Sequence, residues 1–148
     1  MALQSVWTAL VVGLAFSAVV PAGLKEVLAE PNLERRSKLA LDNAYEAYQA
    51  ARSAYDAGNT TATTADLHEV QESVEVAFDS LQATGKDPRR SPKWFKKAEM
   101  TTRDLLRRLD SFQQEMSFGD RAAVDPVKAK IQQLHDQLLM GLMEGKHK

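Results

Sequence analysis

Cysteine is absent from the 148 residues of this chain. Without it the protein has no disulfide bond, no Cys-ligated zinc, no iron–sulfur cluster, no covalently attached c-type haem and no thiol catalysis. A strong excess of positive charge is also missing, since the net charge is −1 at pH 7. Overall charge therefore does not draw the protein to nucleic acid, and we expect no nucleic-acid partner.

Sequence motifs of catalysis are missing as well. No serine or threonine lies in a nucleophile motif, no glycine-rich loop is placed to hold a phosphate, and no two carboxylates stand out as an acid and a base. No two histidines have the four-residue spacing that lets one helix face bind a metal. We therefore expect a protein that is not an enzyme and that uses no cofactor and no metal.

Glycine and proline are few, with seven and five residues, and several of them lie where helices are expected to end or begin. Three glycines follow runs in which apolar residues recur with helical spacing, and glycine often ends a helix because it adopts the left-handed conformation freely: Gly58, Gly85 and Gly119. Two prolines precede such runs, and each follows a residue that can cap a helix: Ser91-Pro92 and Asp125-Pro126.

The apolar periodicity and these end signals predict four helices, at about residues 33–57, 65–84, 92–117 and 126–144. Thr64 or Asp66 is expected to cap the second helix. No segment alternates apolar and polar residues over a useful length, so we predict no strand. Because the connections are short, we expect an all-α protein, an antiparallel up-down-up-down four-helix bundle with Leu109 at the centre of its core.

The first predicted helix combines small and aromatic residues. Small side chains on one face let a neighbouring backbone come close, and five alanines recur with helical spacing: Ala40, Ala44, Ala47, Ala51 and Ala54. Tyr45, Tyr48 and Tyr55 lie beside them. Each tyrosine offers a large contact area, but its hydroxyl has to reach water or a hydrogen-bond partner.

The N-terminal region lacks charge, with none in the eighteen residues from 7 to 24. Val20-Pro21-Ala22 and Val27-Leu28-Ala29 each offer the small residues that a signal peptidase requires. We therefore predict a signal peptide over residues 1–29, a bundle domain over 30–148, and a bacterial protein exported to the periplasm or secreted. No lysine or arginine precedes the run, so an uncleaved membrane anchor at residues 7–24 is the alternative, and this segment alone would enter a membrane.

Charge is separated along the rest of the chain. Residues 42–82 hold eight acids and one base, whereas residues 86–108 hold nine bases and three acids. One interpretation is structural, because the second and third predicted helices would pack antiparallel with their opposite charges facing each other. The other interpretation is that the bases bind something anionic.

The second interpretation places a candidate anion-binding site between residues 86 and 97, where one acid, Asp87, faces six bases. The start of the third helix adds backbone N–H groups that favour anions. The candidate residues are Lys86, Arg89, Arg90, Lys93, Trp94, Lys96 and Lys97. By contrast, Arg103, Arg107 and Arg108 are expected to serve the fold.

Two weaker patterns leave a haem or metal carrier as a lesser alternative. His135 on the fourth helix has Met100 and Met116 as candidate partners for haem iron, although methionines there are usually core residues. His68 precedes Glu72 by four residues, so the two side chains share a helix face and could chelate a metal weakly.

The sequence therefore favours an exported, non-enzymatic helical-bundle protein that acts as a structural or protein-interaction module. Its partner would be another protein or an anionic component of the cell envelope. The alternative function is binding of an anionic ligand or envelope surface through residues 86–97.

Overall fold

The computed structural model describes residues 22–145, which are helical apart from short connections and contain no strand. The all-α prediction is confirmed. There are five α-helices and one 3-10 helix within this range: α1 (Ala22–Ala29), α2 (Leu33–Asp56), α3 (Thr60–Ala83), α4 (Lys93–Glu115), the 3-10 helix Phe118–Ala123, and α5 (Asp125–Glu144).

The start of α3 differs from the prediction. The helix begins at Thr60, because the Asn59 side chain accepts a hydrogen bond from the Ala62 amide at 3.0 Å and so caps it. Thr64 and Asp66 were therefore wrong as caps. The threonine-rich residues 60–64, which the prediction left outside the helix, form its first turns, so that α3 comes almost directly after α2.

Two of the three predicted glycine ends are confirmed. Gly58 and Gly85 follow α2 and α3 with φ of +75° and +67°, a backbone conformation that glycine adopts without a Cβ clash. The prediction that the third helix ends at Gly119 was wrong. Helix α4 ends at Glu115, and the backbone is extended at Met116. Gly119 lies in the 3-10 helix, and its φ is not positive.

The two proline signals gave the right helix starts but the wrong caps. Pro92 precedes α4 directly, and Pro126 lies in the first turn of α5. Neither helix has a side-chain hydrogen bond at its N-cap, so Ser91 and Asp125 do not act as predicted.

The alanine face of α2 packs against α3 in the most extensive helix contact of the described residues. Ala40, Ala44 and Ala51 are fully buried, and α3 presents small residues such as Ser73 and Ala77. Only residues 57–59 separate the two helices, so they run antiparallel. Close approach leaves little room for large side chains, as the alanine spacing predicted.

The tyrosines of α2 select a different neighbour. Their hydroxyls donate hydrogen bonds to α4 and to the segment after it. The residue numbers of the acceptors increase as those of the tyrosines increase. The three bonds are Tyr45 to Asp104 Oδ2 (2.8 Å), Tyr48 to the Arg108 carbonyl (3.2 Å) and Tyr55 to Asp120 Oδ2 (3.0 Å). Therefore α2 and α4 lie side by side and run parallel.

Helices α4 and α5 form the second antiparallel pair. As the residue number increases along α4, the number of the contacting residue on α5 decreases. The contacts are Glu99 with His135, Asp110 with Lys128, and Gln113 with Asp125. Helix α5 also packs against α3. In cross-section the order is thus α2, α3, α5, α4, with α3 and α4 on a diagonal.

This order contradicts the structural interpretation of the charge separation. Helices α3 and α4 share little contact, and among residues 22–145 no ion pair joins them. The arginines of α4 find carboxylates on α4 itself. Arg103 pairs with Glu99, and both Arg107 and Arg108 pair with Asp104.

The buried apolar residues form two clusters. The first surrounds Leu105, Leu109 and Ile131, each with no exposed surface, and includes Phe112, whose ring meets the Tyr48 and Tyr55 rings edge to face. The second lies nearer the start of α4. It combines α1 with the other helices: Leu24, Val27, Ala40, Leu41, Ala77, Leu81, Phe95, Ala98 and Leu138.

Helix α1 occupies residues that the sequence assigned to the signal peptide. Its Leu24 and Val27 are 3% and 5% exposed. Gly23 lies so close to α2 that a Cβ there would come within 2.4 Å of Asn43 Oδ1. The rest of the predicted signal or anchor, residues 1–21, is outside the described residues. Between residues 22 and 145 no helix combines the length and apolarity needed to cross a bilayer.

The position of Leu109 predicts a large loss of stability on truncation. Leu109→Ala should lower the free energy of unfolding by about 2–5 kcal/mol, because it removes buried methyl groups and leaves a cavity. Met140→Ala is the control, since Met140 is 52% exposed and its loss should cost about 0.5 kcal/mol or less. Urea unfolding measures both, and equal midpoints for the two variants would contradict the assigned core.

The Asp104 cluster predicts a dependence of stability on acid pH. Hydrogen bonds from Arg108 and Tyr45 lower the pKa of Asp104 from 3.8 to about 2. The unfolded chain takes up this proton near pH 3.8, so the stabilisation is present above about pH 4 and is lost as the pH falls through 2.

Asp104→Asn should therefore reduce stability at pH 7 and flatten its decline between pH 4 and pH 2, as measured by urea unfolding at each pH. Asp79→Asn is the matched control, because Asp79 is exposed on α3. An unchanged slope in the Asp104 variant would show that this carboxylate does not couple to folding.

Candidate anion-binding site

The connection between α3 and α4 folds around its only acid, Asp87. The Asp87 carboxylate accepts a hydrogen bond from the Arg89 amide at 2.9 Å, and its carbonyl accepts from the amides of Arg90 and Ser91. Pro88 is buried beside Gly141 of α5. The turn is thus fixed by its backbone and by a proline, which leaves the side chains of Arg89 and Arg90 exposed.

Five of the six predicted bases have no carboxylate partner among the described residues: Arg89, Arg90, Lys93, Lys96 and Lys97. The sixth, Lys86, reaches across to α2 and pairs with Glu34 Oε1 at 2.6 Å. Lys86 is therefore already neutralised and is the weakest member of the predicted set. The other five keep their charge available to a partner.

Trp94 anchors this segment to the fold. Its side chain is half-buried against the second apolar cluster. The Lys93 ammonium lies 5.0 Å from the centre of the Trp94 ring, a cation–π contact. Trp94 thus has a packing role that explains its presence without a ligand.

The start of α4 adds partial positive charge. No side chain caps the helix, so the amides of its first turn have no side-chain acceptor. Lysines at this end oppose the helix dipole by roughly 0.3–1 kcal/mol each. An anion bound here would interact favourably with the helix dipole and would reduce the repulsion among the lysines.

The site is a surface and not a closed pocket. A shallow recess lies beside Arg89 and Arg90, but Asp87 and Glu144 line it as well. These carboxylates offset the arginine charge inside the recess. The five bases that form no ion pair among residues 22–145, here called the unopposed bases, are spread over the turn and the first two turns of α4, a layout suited to an extended anionic partner.

Sequence analysis missed a buried hydrogen-bonded pair further along α4. Glu99 and His135 are each 9% exposed, and Glu99 Oε1 lies 3.0 Å from His135 Nε2. The other oxygen of Glu99 binds Arg103 at 3.1 Å. Each member of the pair directly follows a core residue, Ala98 or Leu134, and this flanking position was the available signal.

This pair weighs against the haem alternative. Iron would have to displace the bond between His135 Nε2 and Glu99, while Met100 is 60% exposed and Met116 belongs to the first apolar cluster. His68 is exposed and pairs with Glu72 at 2.9 Å on the surface of α3. The described part of the chain holds no group of three or more His, Asp or Glu side chains arranged to bind a metal.

No family model matches the chain, and no curated protein or solved structure is significantly similar to it. What the protein does therefore has to follow from its own residues. The feature they single out is the group of five bases in the turn and at the start of α4 that form no ion pair with any residue between 22 and 145.

Proposed function

We propose that this protein is an exported, non-enzymatic interaction module that binds an anionic component of the cell envelope through residues 86–97. Its scaffold is a four-helix bundle in which α2 to α5 alternate in direction, up-down-up-down, with α1 packed along one side. It differs from the expected antiparallel bundle in that α3 and α4 lie on a diagonal and not side by side. The antiparallel pairs α2–α3 and α4–α5 and the parallel pair α2–α4 support this arrangement.

One observation carries the binding function. Most of the other described lysines and arginines form ion pairs, whereas Arg89, Arg90, Lys93, Lys96 and Lys97 form none. Exposed ion pairs are worth only about 0–1 kcal/mol each, so the fold would gain little stability from these bases even if carboxylates paired with them. Several bases acting together on a polyanion give useful affinity, and salt weakens that affinity.

A purely structural role for the segment has less support. The charges of α4 do not face the acids of α3, so the bases between residues 86 and 97 do not serve to align those two helices. Within the part of the chain that the structure describes, Lys86 alone links the segment to another helix through an ion pair. The remaining bases are therefore available for a partner outside the chain.

Export is proposed from the uncharged run at residues 7–24, and the packing of α1 favours one of the two cleavage sites. A cut after Ala29 would remove Leu24 and Val27 from the second apolar cluster. A cut after Ala22 would keep both. It would also leave the new amino group of Gly23 beside a recess whose acids can attract it: Glu26, Asp42 and Glu46.

The exported protein should therefore begin at Gly23. Mass spectrometry of protein recovered from the envelope or the medium measures this directly. A chain beginning at Glu30 would show that α1 is dispensable, and an intact Met1 in the cytoplasm would contradict export. A membrane-bound chain that retains Met1 would favour the anchor at residues 7–24.

Replacing three of the unopposed bases tests the binding function. Arg89, Arg90 and Lys93 changed together to Gln should weaken retention on an immobilised polyanion and reduce its dependence on salt, with the melting temperature unchanged. The control removes the same charge from the distant part of α4 and α5: Arg107, Lys128 and Lys130 to Gln. Equal retention of the two triple variants would contradict a local site.

A further inference from the structure

Exposed apolar side chains gather near the unopposed bases. Six large apolar residues are exposed in the described chain, and four of them lie on the first part of α4 or the last part of α5: Met100, Leu139, Met140 and Met143. Met100 and Met143 are 60% and 69% exposed. The ends of these two helices are adjacent, because α4 and α5 run antiparallel.

Helical spacing places two of these residues on the side of α5 that faces α4. Leu139 and Met143 follow His135 at intervals of four, so they share the side of α5 that contacts Glu99 of α4. On α4, Met100 follows Lys93 and Lys96 at intervals of seven and four, so it shares the outer side of α4 that carries these lysines. The adjoining outer sides of α4 and α5 thus carry Met100 with the lysines of the candidate site on one helix, and Leu139 and Met143 on the other.

We infer that this α4/α5 face docks on an anionic lipid bilayer. The bases between residues 89 and 97 contact the lipid head groups, and Met100, Leu139 and Met143 enter the interface below them. This inference rests on the proposed function and names the anionic partner as a lipid surface.

The chemistry of the face distinguishes a bilayer from other partners. A soluble polyanion needs only the bases and leaves the apolar side chains in water. A bilayer interacts favourably with both the bases and the apolar side chains, because lysine can keep its ammonium at the head groups while neighbouring apolar side chains are buried. A second copy of the chain is disfavoured, because pairing through this face would bring the two sets of unopposed bases towards each other.

Two sets of substitutions separate the contributions. The apolar variant changes Met100, Leu139 and Met143 to Gln, and the basic variant changes Arg89, Arg90 and Lys93 to Gln. Phe118→Gln is the apolar control, because Phe118 is 88% exposed and lies in the 3-10 helix beyond the far end of α4. All forms keep the same N-terminus, so any contribution of residues 1–21 is common to them.

Binding is measured by co-sedimentation with vesicles of phosphatidylglycerol and phosphatidylcholine, with vesicles of phosphatidylcholine alone, and by retention on polyphosphate. The apolar variant should bind the anionic vesicles at least tenfold more weakly and keep its retention on polyphosphate. The basic variant should lose both its binding to anionic vesicles and its retention on polyphosphate. The Phe118 control should keep both. Circular dichroism melts confirm that each variant is folded.

The outcomes distinguish this inference from the proposed function. If the apolar variant still binds anionic vesicles, the lipid interface is overturned, and the proposed function still stands provided that the basic variant is no longer retained on polyphosphate. If the basic variant keeps both vesicle binding and polyphosphate retention, the lipid interface and the proposed function are both overturned. Sedimentation that shows a dimer dissociated by the apolar substitutions assigns the face to a second copy and also overturns the lipid interface.

Discussion

The hydroxyls of three tyrosines on α2 determine how the helices are arranged. A phenol that is buried or half-buried needs a hydrogen-bond partner. Tyr45, Tyr48 and Tyr55 bond to residues that follow them in the chain by 59, 60 and 65 positions. These bonds hold α4 beside α2. Since α3 occupies the alanine face of α2, α4 cannot also be the main neighbour of α3, and the connection between them has to cross the end of the molecule.

That crossing is what presents the candidate site. The connection contains the turn around Asp87 and leads directly into the first turn of α4, so Arg89 and Arg90 lie at the end of the molecule and the lysines continue along its side. If α3 and α4 were neighbours, acids such as Asp79 could approach these bases. The diagonal arrangement keeps the two charge groups apart and leaves the bases to an outside partner.

The helices and their apolar faces followed from the sequence because periodicity is a local property, and Gly58 and Gly85 ended helices as expected. The cap at Asn59 was missed because the threonines after it have low helix propensity and resemble a loop. The pairing of α3 with α4 was predicted wrongly because opposite charge is a weak guide when arginines find carboxylates three or four residues away. The pairs Lys86–Glu34 and Glu99–His135 depend on tertiary contact and could not be read from spacing.

The short link between α2 and α3 also bears on the order of folding. Two long helices joined by residues 57–59 make contacts that are close in sequence, so their association has a small loop-closure cost and is expected early. The tyrosine bonds to α4 close loops of about 60 residues and belong to a later step. Changes in the alanine face should therefore slow folding, whereas changes to the tyrosines should mainly accelerate unfolding.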